Sequence, residues 1–227
     1  MIILALDPGA YIEDLDEWLS KIIDETKDLV VGYKVGLPLL IAGGLEAYRT
    51  VREKAPNNLL IADLKFADVG DIMSMSIDHL SKTGVDAVIA HSFIGYKDAL
   101  DKLSMKCFER NIKLILVISM SHRGSEEYID RHVNEFIELT DKTGAWGVVA
   151  PATRPEIIKN VRERIGDRIK IFSPGISFQG AEPGTAICHG ADYEIIGRAV
   201  TTSSNPRERL LEILEVQREV IKRCKRS

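Results

Sequence analysis

Short apolar runs rich in β-branched residues recur along the chain and predict eight β-strands. We expect these strands at residues 2–6, 29–35, 59–64, 87–91, 113–118, 147–150, 169–172 and 193–196. Most of the runs are continuously apolar rather than alternating, which is typical of strands that are covered on both faces. Between them lie segments of helical periodicity, at residues 12–27, 44–54, 69–83, 97–110, 125–143, 155–164 and 206–222. The pattern therefore predicts an α/β fold in which strands and helices alternate.

Eight strands alternating with helices in 227 residues fit either a closed (β/α)8 barrel or a doubly wound sheet. The chain has no GxGxxG motif after its first predicted strand and no Walker loop. Polar side chains stand instead at the C-terminal ends of many strands, namely Asp7, Lys34, Asp63, His91 and Ser121. A barrel gathers such groups from all its strands onto one face, whereas a doubly wound sheet gathers them at one switch point. We therefore predict a single-domain (β/α)8 TIM barrel spanning residues 1–227.

Composition and charge narrow the function classes further. Thirty Lys and Arg against 34 Asp and Glu give a net charge of −4, so no basic field favours nucleic acid. No apolar run approaches the roughly 20 residues that span a bilayer, and the first residues lack the basic region of a signal peptide. The cysteines Cys107, Cys188 and Cys224 are odd in number and have no CxxC spacing, so we expect neither a disulfide framework nor a zinc ribbon. These features predict a cytoplasmic protein.

The segment at residues 61–68 carries the clearest chemical signal. Two carboxylates, Asp63 and Asp68, flank Lys65 within six residues at the end of an apolar strand. Residues two apart in an extended chain point to the same side, so Asp63 and Lys65 can both face a site inside the barrel. A surface ion pair is the alternative, but the apolar run before Asp63 would bury the pair, and burial makes a purely structural role costly.

Six segments together resemble the orotidine 5′-phosphate decarboxylase family in its short archaeal form. They are residues 4–7 (LALD), 33–36 (YKVG), 63–68 (DLKFAD), 120–122 (MSH), the glycine-rich segment 173–184 and residues 196–198 (IGR). They occur in the family's order and at compatible spacings from residue 2 to about residue 206. The D-x-K-x-x-D pattern alone marks the wider superfamily, whereas the six segments together are specific.

The resemblance implies a decarboxylase without cofactor or metal that acts as a homodimer of barrels. Such an enzyme would convert orotidine 5′-monophosphate to uridine 5′-monophosphate and CO2 in pyrimidine biosynthesis. Lys34, Asp63 and Lys65 would come from one subunit, and Asp68 would be contributed to the neighbouring site. Lys65 would protonate C6 of the pyrimidine, Asp63 would lie against the substrate carboxylate, and Lys34 would hold Asp63 and contact the ribose.

The resemblance also implies where the rest of the substrate binds. Gln179 and Arg198 would grip the 5′-phosphate and Gly197 would donate its amide, after the eighth strand, where barrels commonly bind phosphate. Asp7 would bond a ribose hydroxyl, and Ser121 would contact the pyrimidine ring.

Three further residues have weaker signals. Arg154 fits either support of the phosphate end or a structural role at a helix start. His91 is interpreted as a packing residue, not a catalytic one. His122 has no nearby pattern of cysteines or carboxylates, so no metal site is expected.

The chain departs from the family pattern after the second aspartate. Ile72 stands where the family usually has a threonine that reaches the neighbour's ribose, and Ile72 cannot donate a hydrogen bond. With Gly70, the segment at residues 68–70 resembles the corresponding segment of two sister sugar-phosphate enzymes, hexulose-phosphate synthase and ketogulonate-phosphate decarboxylase. A magnesium-dependent sugar-phosphate lyase is therefore the alternative, although those enzymes usually carry an acidic residue where this chain has Lys34. A barrel that binds a nucleotide without turnover is a third hypothesis, and binding without product would identify it.

Overall fold

A computed structural model describes residues 1–9, 12–177 and 180–225. Its eight strands are all parallel and close in chain order, because β1 pairs with both β2 and β8. The strands are β1 (Ile2–Ala5), β2 (Gly32–Gly36), β3 (Leu59–Phe66), β4 (Ala87–His91), β5 (Lys113–Val117), β6 (Gly147–Val149), β7 (Lys170–Pro174) and β8 (Tyr193–Ile196). The predicted (β/α)8 barrel is confirmed.

Helices follow the strands around the barrel. They are α1 (Leu15–Thr26), α2 (Leu37–Gly43), α3 (Glu46–Lys54), α4 (Gly70–Leu80), α5 (Asp101–Glu109), α6 (Val133–Thr143), α7 (Pro155–Ile165), α8 (Thr185–Cys188), α9 (Arg198–Thr201) and α10 (Pro206–Cys224). The sequence pattern missed α2, α8 and α9, because segments of seven residues or fewer are too short to show helical periodicity. Among the described residues, no helix is both long and apolar enough to cross a membrane.

Strand alternation separates the apolar side chains into two clusters. One cluster, which includes Ile3 and Ile61, fills the barrel interior. The other, which includes Tyr33, Val35 and Ala62, packs between the strands and the helices. Because neighbouring strand residues point to opposite faces, the side chains of residues 34 and 63 point into the barrel. The pleat thus delivers two charged side chains to the interior.

A disulfide joins Cys188, the last residue of α8, to Cys224, the last residue of α10. The expectation of no disulfide was therefore wrong for this pair, whereas Cys107 is a free, buried thiol. The two bonded residues are 36 positions apart and their Cα atoms are 6.0 Å apart. The spacing of the cysteines in the sequence does not predict this pair, because only the packing of α8 against α10 brings the two residues together.

Breaking this disulfide should destabilise the protein without altering its fold. A closed loop of 36 residues restricts the unfolded chain, and restoring that freedom costs about 3–4 kcal/mol of unfolding free energy. Urea unfolding of the wild type with and without dithiothreitol measures the effect. The Cys224→Ser variant is the control, because its midpoint should not respond to the reductant. Equal midpoints for the oxidised and reduced wild type would contradict the prediction.

One arginine cluster closes the N-terminal end of the barrel beneath β3 and β4. Arg52, on α3, donates to the carbonyl oxygens of Pro56, Asn58 and Gly84, at 2.8, 3.0 and 2.8–3.0 Å. It also forms an ion pair with Asp86, just before β4. A single guanidinium therefore ties a helix to the starts of two neighbouring strands.

The same arrangement occurs a second time beneath β7 and β8. Arg162, on α7, donates to the carbonyl oxygens of Gly166, Ile169 and Gly190. It forms an ion pair with Asp192, just before β8. Both arginines stand in the same V-R-E pattern, at residues 51–53 and 161–163, and the contacts show that the pattern has the same role in both places.

Candidate active site

A cavity of about 400 Å³ opens at the C-terminal ends of the strands. The residues singled out from the sequence that line it are Asp7, Lys34, Asp63, Lys65, Ser121, Gly197 and Arg198. Gln179 lies outside the described residues, and Asp68 does not line this cavity. The barrel therefore brings most of the candidate residues to one place, although they come from five different parts of the chain.

Asp63 lies between two lysines at the centre of the cavity. Its Oδ2 is 2.9 Å from Nζ of Lys34, and Nζ of Lys65 is 2.9 Å from both carboxylate oxygens. Asp7 is more distant, with 3.8 Å between its Oδ2 and Nζ of Lys34. Lys34 and Asp63 are buried, at 8% and 6% exposed, whereas the Lys65 side chain is 38% exposed. Lys65 is thus the member of the array that a bound molecule can reach most directly.

The two lysines keep the buried carboxylate ionised. Burial alone would raise the pKa of Asp63, but the charges of Lys34 and Lys65 outweigh it and hold this pKa below its ordinary value. Burial alone would lower the pKa of Lys34, but Asp63 and Asp7 outweigh it, so this pKa lies above its ordinary value. Asp63 and Lys34 are therefore both charged at neutral pH.

The backbone is distorted where Lys65 enters the site. Ala62 of β3 pairs with Val88 of β4, and the next pair is Phe66 with Ala90. Between these two pairs β3 advances by four residues and β4 by only two, which is a β-bulge. Lys65 takes up the irregularity with a φ of 46°, a left-handed conformation that costs a non-glycine residue about 1–3 kcal/mol. The sequence predicted that Lys65 and Asp63 meet through regular alternation, whereas they meet across this bulge.

Asp68 does not line the cavity of its own chain. It is exposed, and its Oδ1 accepts a hydrogen bond of 2.7 Å from the amide of Val69. Val69 and Ile72, which follow it, are 59% and 44% exposed although both are apolar. The lysine-aspartate array of a single chain is therefore missing its fourth predicted member.

An apolar wall that sequence reasoning missed faces the charged array. Ile89, Val117, Val149 and Ile195 line the cavity from β4, β5, β6 and β8. They belong to the interior cluster of the barrel, at the level where it meets the site. Because β4, β5 and β6 carry apolar residues on both faces along most of their length, no alternation in their sequence marks the residues that face the cavity. The cavity is thus lined both by the charged array and by an apolar wall.

Arg154 supports the segment that carries Ser121. Its guanidinium donates to the carbonyl oxygens of Met120 and His122, the residues on either side of Ser121. It also lies 3.0 Å from Asp130 and is only 9% exposed. Of the two roles that the sequence left open, the structure therefore favours a structural one, and it acts on the Ser121 segment.

The cavity ends at the segments that follow β7 and β8. Gly175 and Ile176 line it after β7, and Gly197, Arg198 and Thr202 line it after β8. A Cβ atom on Gly197 would lie 3.3 Å from Cβ of Ala5, so the backbone here passes close to β1. A bound group at this end would meet backbone amides and one guanidinium, which suits an anion.

His91 lies behind the charged array rather than in the cavity. It is 8% exposed, and within the described residues its Nδ1 has no hydrogen-bond partner. Burial, with a smaller contribution from the charge of Lys65, lowers the pKa of His91 to about 4. The ring packs at 4.7 Å from Phe93, in line with the packing role expected from the sequence.

Acid should therefore weaken the fold through His91. An unfolded histidine takes up a proton below a pH of about 6.5, whereas folded His91 does so only near pH 4, so stability falls as the pH drops through this window. We expect the wild type to lose about 2 kcal/mol more than His91→Gln between pH 7 and pH 4.5. Urea unfolding of both proteins at the two pH values measures this difference. The same pH dependence in both would contradict the prediction.

No group of three or more His, Cys, Asp or Glu side chains within residues 1–9, 12–177 and 180–225 is arranged to hold a metal ion. The functional side chains that line the cavity carry ammonium, carboxylate, hydroxyl and guanidinium groups. Together with the closed barrel, they define a (β/α)8-barrel protein with an enzyme-like site at the C-terminal ends of its strands.

Comparison with known proteins gives the family. Residues 1–213 match the model of the "Orotidine 5′-phosphate decarboxylase / HUMPS family", and the chain belongs to this family. It is 42% identical over 219 residues to orotidine 5′-phosphate decarboxylase of Aeropyrum pernix, covering 94% of this chain and 87% of the relative. It is 40% identical to the enzyme of the same name from Pyrococcus abyssi, covering 95% of this chain and 98% of the relative. The family resemblance drawn from the six sequence segments is thus confirmed.

Solved structures agree with this assignment. Orotidine 5′-monophosphate decarboxylase from Sulfolobus solfataricus superposes with a TM-score of 0.86 at 31% identity, covering 97% of this chain and 98% of that one. The enzyme from Methanocaldococcus jannaschii, in complex with the inhibitor BMP, gives a TM-score of 0.86 at 29% identity, covering 95% and 97%. The barrel and its chain order are therefore those of known decarboxylases.

Proposed function

We propose that this protein decarboxylates orotidine 5′-monophosphate to uridine 5′-monophosphate and CO2 without a cofactor. The observation that carries the proposal is the Lys34–Asp63–Lys65 array facing an apolar wall in a protein of this family. Relatives with 36–42% identity bear the name of this activity. The phosphorylated substrate carries charge that keeps it from crossing membranes, so we also propose that the protein works in the cytoplasm.

Lys65 is the proton donor in this proposal. When the bond between C6 and the carboxylate breaks, its electron pair stays on C6 and CO2 leaves. The pyrimidine offers this carbon no adjacent electron sink, so an ammonium group fixed beside it stabilises the developing negative charge. Lys65 then transfers its proton to C6, and solvent restores the ammonium group. The 38% exposure of the Lys65 side chain is consistent with both steps.

Asp63 and the apolar wall act on the carboxylate that leaves. Asp63 stays ionised because of its two lysine partners, so a substrate carboxylate placed beside it meets a like charge. Ile89 and Val117, which line the same cavity, offer that carboxylate no hydrogen bond, whereas neutral CO2 loses nothing there. Both unfavourable interactions disappear as the carboxylate becomes CO2. Both therefore raise the free energy of the bound substrate more than that of the transition state.

The remaining candidate residues bind the parts of the substrate that do not react. Asp7 and Lys34 would contact the ribose, and Ser121 the pyrimidine ring. Arg198 and the Gly197 amide would hold the phosphate at the far end of the cavity, together with Gln179. Binding energy from the distant phosphate can then serve to position C6 against Lys65.

We propose that the active unit is a homodimer in which each chain gives Asp68 to the other's site. Asp68 does not line the cavity of its own chain, and exposed apolar side chains lie on its own segment and on those of the two neighbouring strands. These side chains are Leu37, Ile41, Val69, Ile72, Met75 and Phe93, which are 44–81% exposed. They lie on the segments that follow the neighbouring strands β2, β3 and β4, and exposed apolar side chains concentrated on one side of a protein are typical of an interface. A second chain packed there would bury them and bring the partner subunit's Asp68 towards the array.

The test is the loss of orotate absorbance when orotidine 5′-monophosphate is added with EDTA present throughout. We expect conversion to uridine 5′-monophosphate that does not change when the chelator is omitted. If the substrate binds but is not converted, the protein is a nucleotide-binding barrel without turnover and the proposal fails. If only hexulose or ketogulonate phosphates with added magnesium are turned over, the sugar-phosphate alternative replaces it.

A further inference from the structure

Glu194 is a fully buried carboxylate that the proposed reaction does not use. It lies on β8 and is 0% exposed. Its neighbour Ile195 belongs to the barrel interior, so Glu194 points outwards, between the barrel and the surrounding helices. Burying a polar group in such a place is costly unless it is hydrogen-bonded.

Its hydrogen bonds come from two other segments of the chain. Both oxygens accept from the amide of Gly184, at 2.9 and 2.8 Å, and Oε1 also accepts from the amide of Ala186 at 3.1 Å. Oε2 accepts from Nε2 of Gln217, on α10, at 2.8 Å. Glu194 therefore joins β8, the start of α8 and the C-terminal helix.

Gly184 is held from its other side as well. It has a φ of 97°, and a Cβ atom here would lie 2.8 Å from Cβ of Val220 and 2.9 Å from the carbonyl oxygen of Gln217. The turn thus sits between the Glu194 carboxylate and α10. Four residues further on, the disulfide fixes Cys188 to the same helix. Gly184, where the connection from β7 to α8 ends, is therefore held between β8 and α10.

The two segments that Glu194 joins are those that bound the phosphate end of the cavity. The connection that ends at Gly184 begins with Gly175 and Ile176, which line the cavity. β8 ends at Ile196, and the residues that follow it, Gly197 and Arg198, line the cavity too. A shift of Gly184 relative to β8 would change the distance between the two sides of this end.

We propose that Glu194 is a positioning residue that sets the separation of the two segments around the substrate's phosphate. The inference rests on the proposed function, since it takes the anion at this end to be the 5′-phosphate of the nucleotide. Glu194 does not touch the substrate and acts through Gly184. Its effect should therefore appear in the binding of the phosphate and not in the binding of the nucleoside.

Glu194→Gln is the sharpest test because it keeps the size of the side chain. Both carboxylate oxygens face the Gly184 amide, and each also faces a second donor, so either orientation of the glutamine places NH2 against an N–H group. We expect the dissociation constant for uridine 5′-monophosphate to rise about tenfold, while that for uridine stays within twofold. Titration calorimetry with both ligands measures the ratio.

Two further variants make the result specific. Gly184→Ala displaces the same turn from α10 without altering the carboxylate, and it should weaken binding of the nucleotide alone in the same way. Asp192→Asn is the matched control, because this carboxylate lies two residues before Glu194 and binds Arg162 and Lys170 away from Gly184. It should lower stability and leave the binding ratio unchanged.

Equal weakening of nucleotide and nucleoside in Glu194→Gln and Gly184→Ala would overturn the inference in favour of a general structural role. Unchanged binding of both ligands in the folded variants would overturn it as well. If Glu194→Gln does not fold, Gly184→Ala decides between these outcomes. The proposed function is tested by the wild type, and it fails if the wild type does not convert orotidine 5′-monophosphate. The role of Glu194 is tested separately, by nucleotide and nucleoside binding to the variants.

Discussion

Replacing Lys65 with alanine should lower kcat for orotidine 5′-monophosphate by about 10⁴-fold or more. The variant loses both the proton donor and the positive charge beside C6, and each such contribution is worth about 10²–10⁴ in rate. Binding of uridine 5′-monophosphate should persist, because the residues proposed to hold its phosphate and ribose lie elsewhere in the cavity. Steady-state kinetics and equilibrium binding on the same preparation separate the two effects.

Lys113→Ala is the matched control for this experiment. Lys113 lies at the N-terminal end of β5, at the other end of the barrel, with its ammonium 4.4 Å from the centre of the Trp146 ring. The control should keep kcat near the wild-type value. A Lys65→Ala variant with comparable kcat would show that another group protonates C6, and the proposed mechanism would then be wrong.

Mixing inactive Lys65→Ala and Asp68→Asn chains should restore activity if sites are shared between two subunits. In a mixed dimer one site carries both substitutions and the other carries neither, because Lys65 and Asp68 of one site come from different chains. Random exchange makes about half of the dimers mixed, so the expected recovery is roughly a quarter of the wild-type activity. Each variant alone should remain inactive, whereas the activity of the mixture should rise with time as subunits exchange.

The control for this recovery is a chain that carries both substitutions, mixed with either single variant. No site without a substitution can form in those mixtures, so they should stay inactive. Mixed dimers can be purified with two different affinity tags. If such dimers form and show no activity, Asp68 does not serve the neighbouring site.

The barrel itself could be predicted closely because its strands are apolar and bounded by clear breaks. β4 and β8 begin and end at the predicted residues, 87–91 and 193–196. β3 was predicted to end at residue 64 but continues to Phe66, because its pairing with β4 resumes there after the bulge at Lys65, which the sequence does not reveal. α6 begins at Val133 and not at residue 125, since residues 123–132 form short 3-10 turns. There the hydroxyl group of Ser125 binds Asp130, which competes with a regular helix.

The charged half of the site could also be predicted, and the apolar half could not. Lys34 and Asp63 stand out in a sequence because charged residues in an apolar strand are rare. Ile89 and Val149 do not stand out, since they are apolar residues among apolar residues, and only the closed barrel shows that they face the cavity. The disulfide and Glu194 were missed for a related reason, because their partners lie far away in the sequence.

The two arginine clusters at the N-terminal end of the barrel show that the two ends of the barrel differ in symmetry. Arg52 closes the start of β3 and β4, and Arg162 closes the start of β7 and β8, four strands further around a ring of eight. The contacts thus repeat after half a turn about the barrel axis, which gives the closed end an approximate two-fold symmetry. The open end has none, since its lysines and aspartates come from the first half and its phosphate-side segments from the second. The symmetric end holds the barrel together, and the asymmetry needed for one directed reaction is confined to the other.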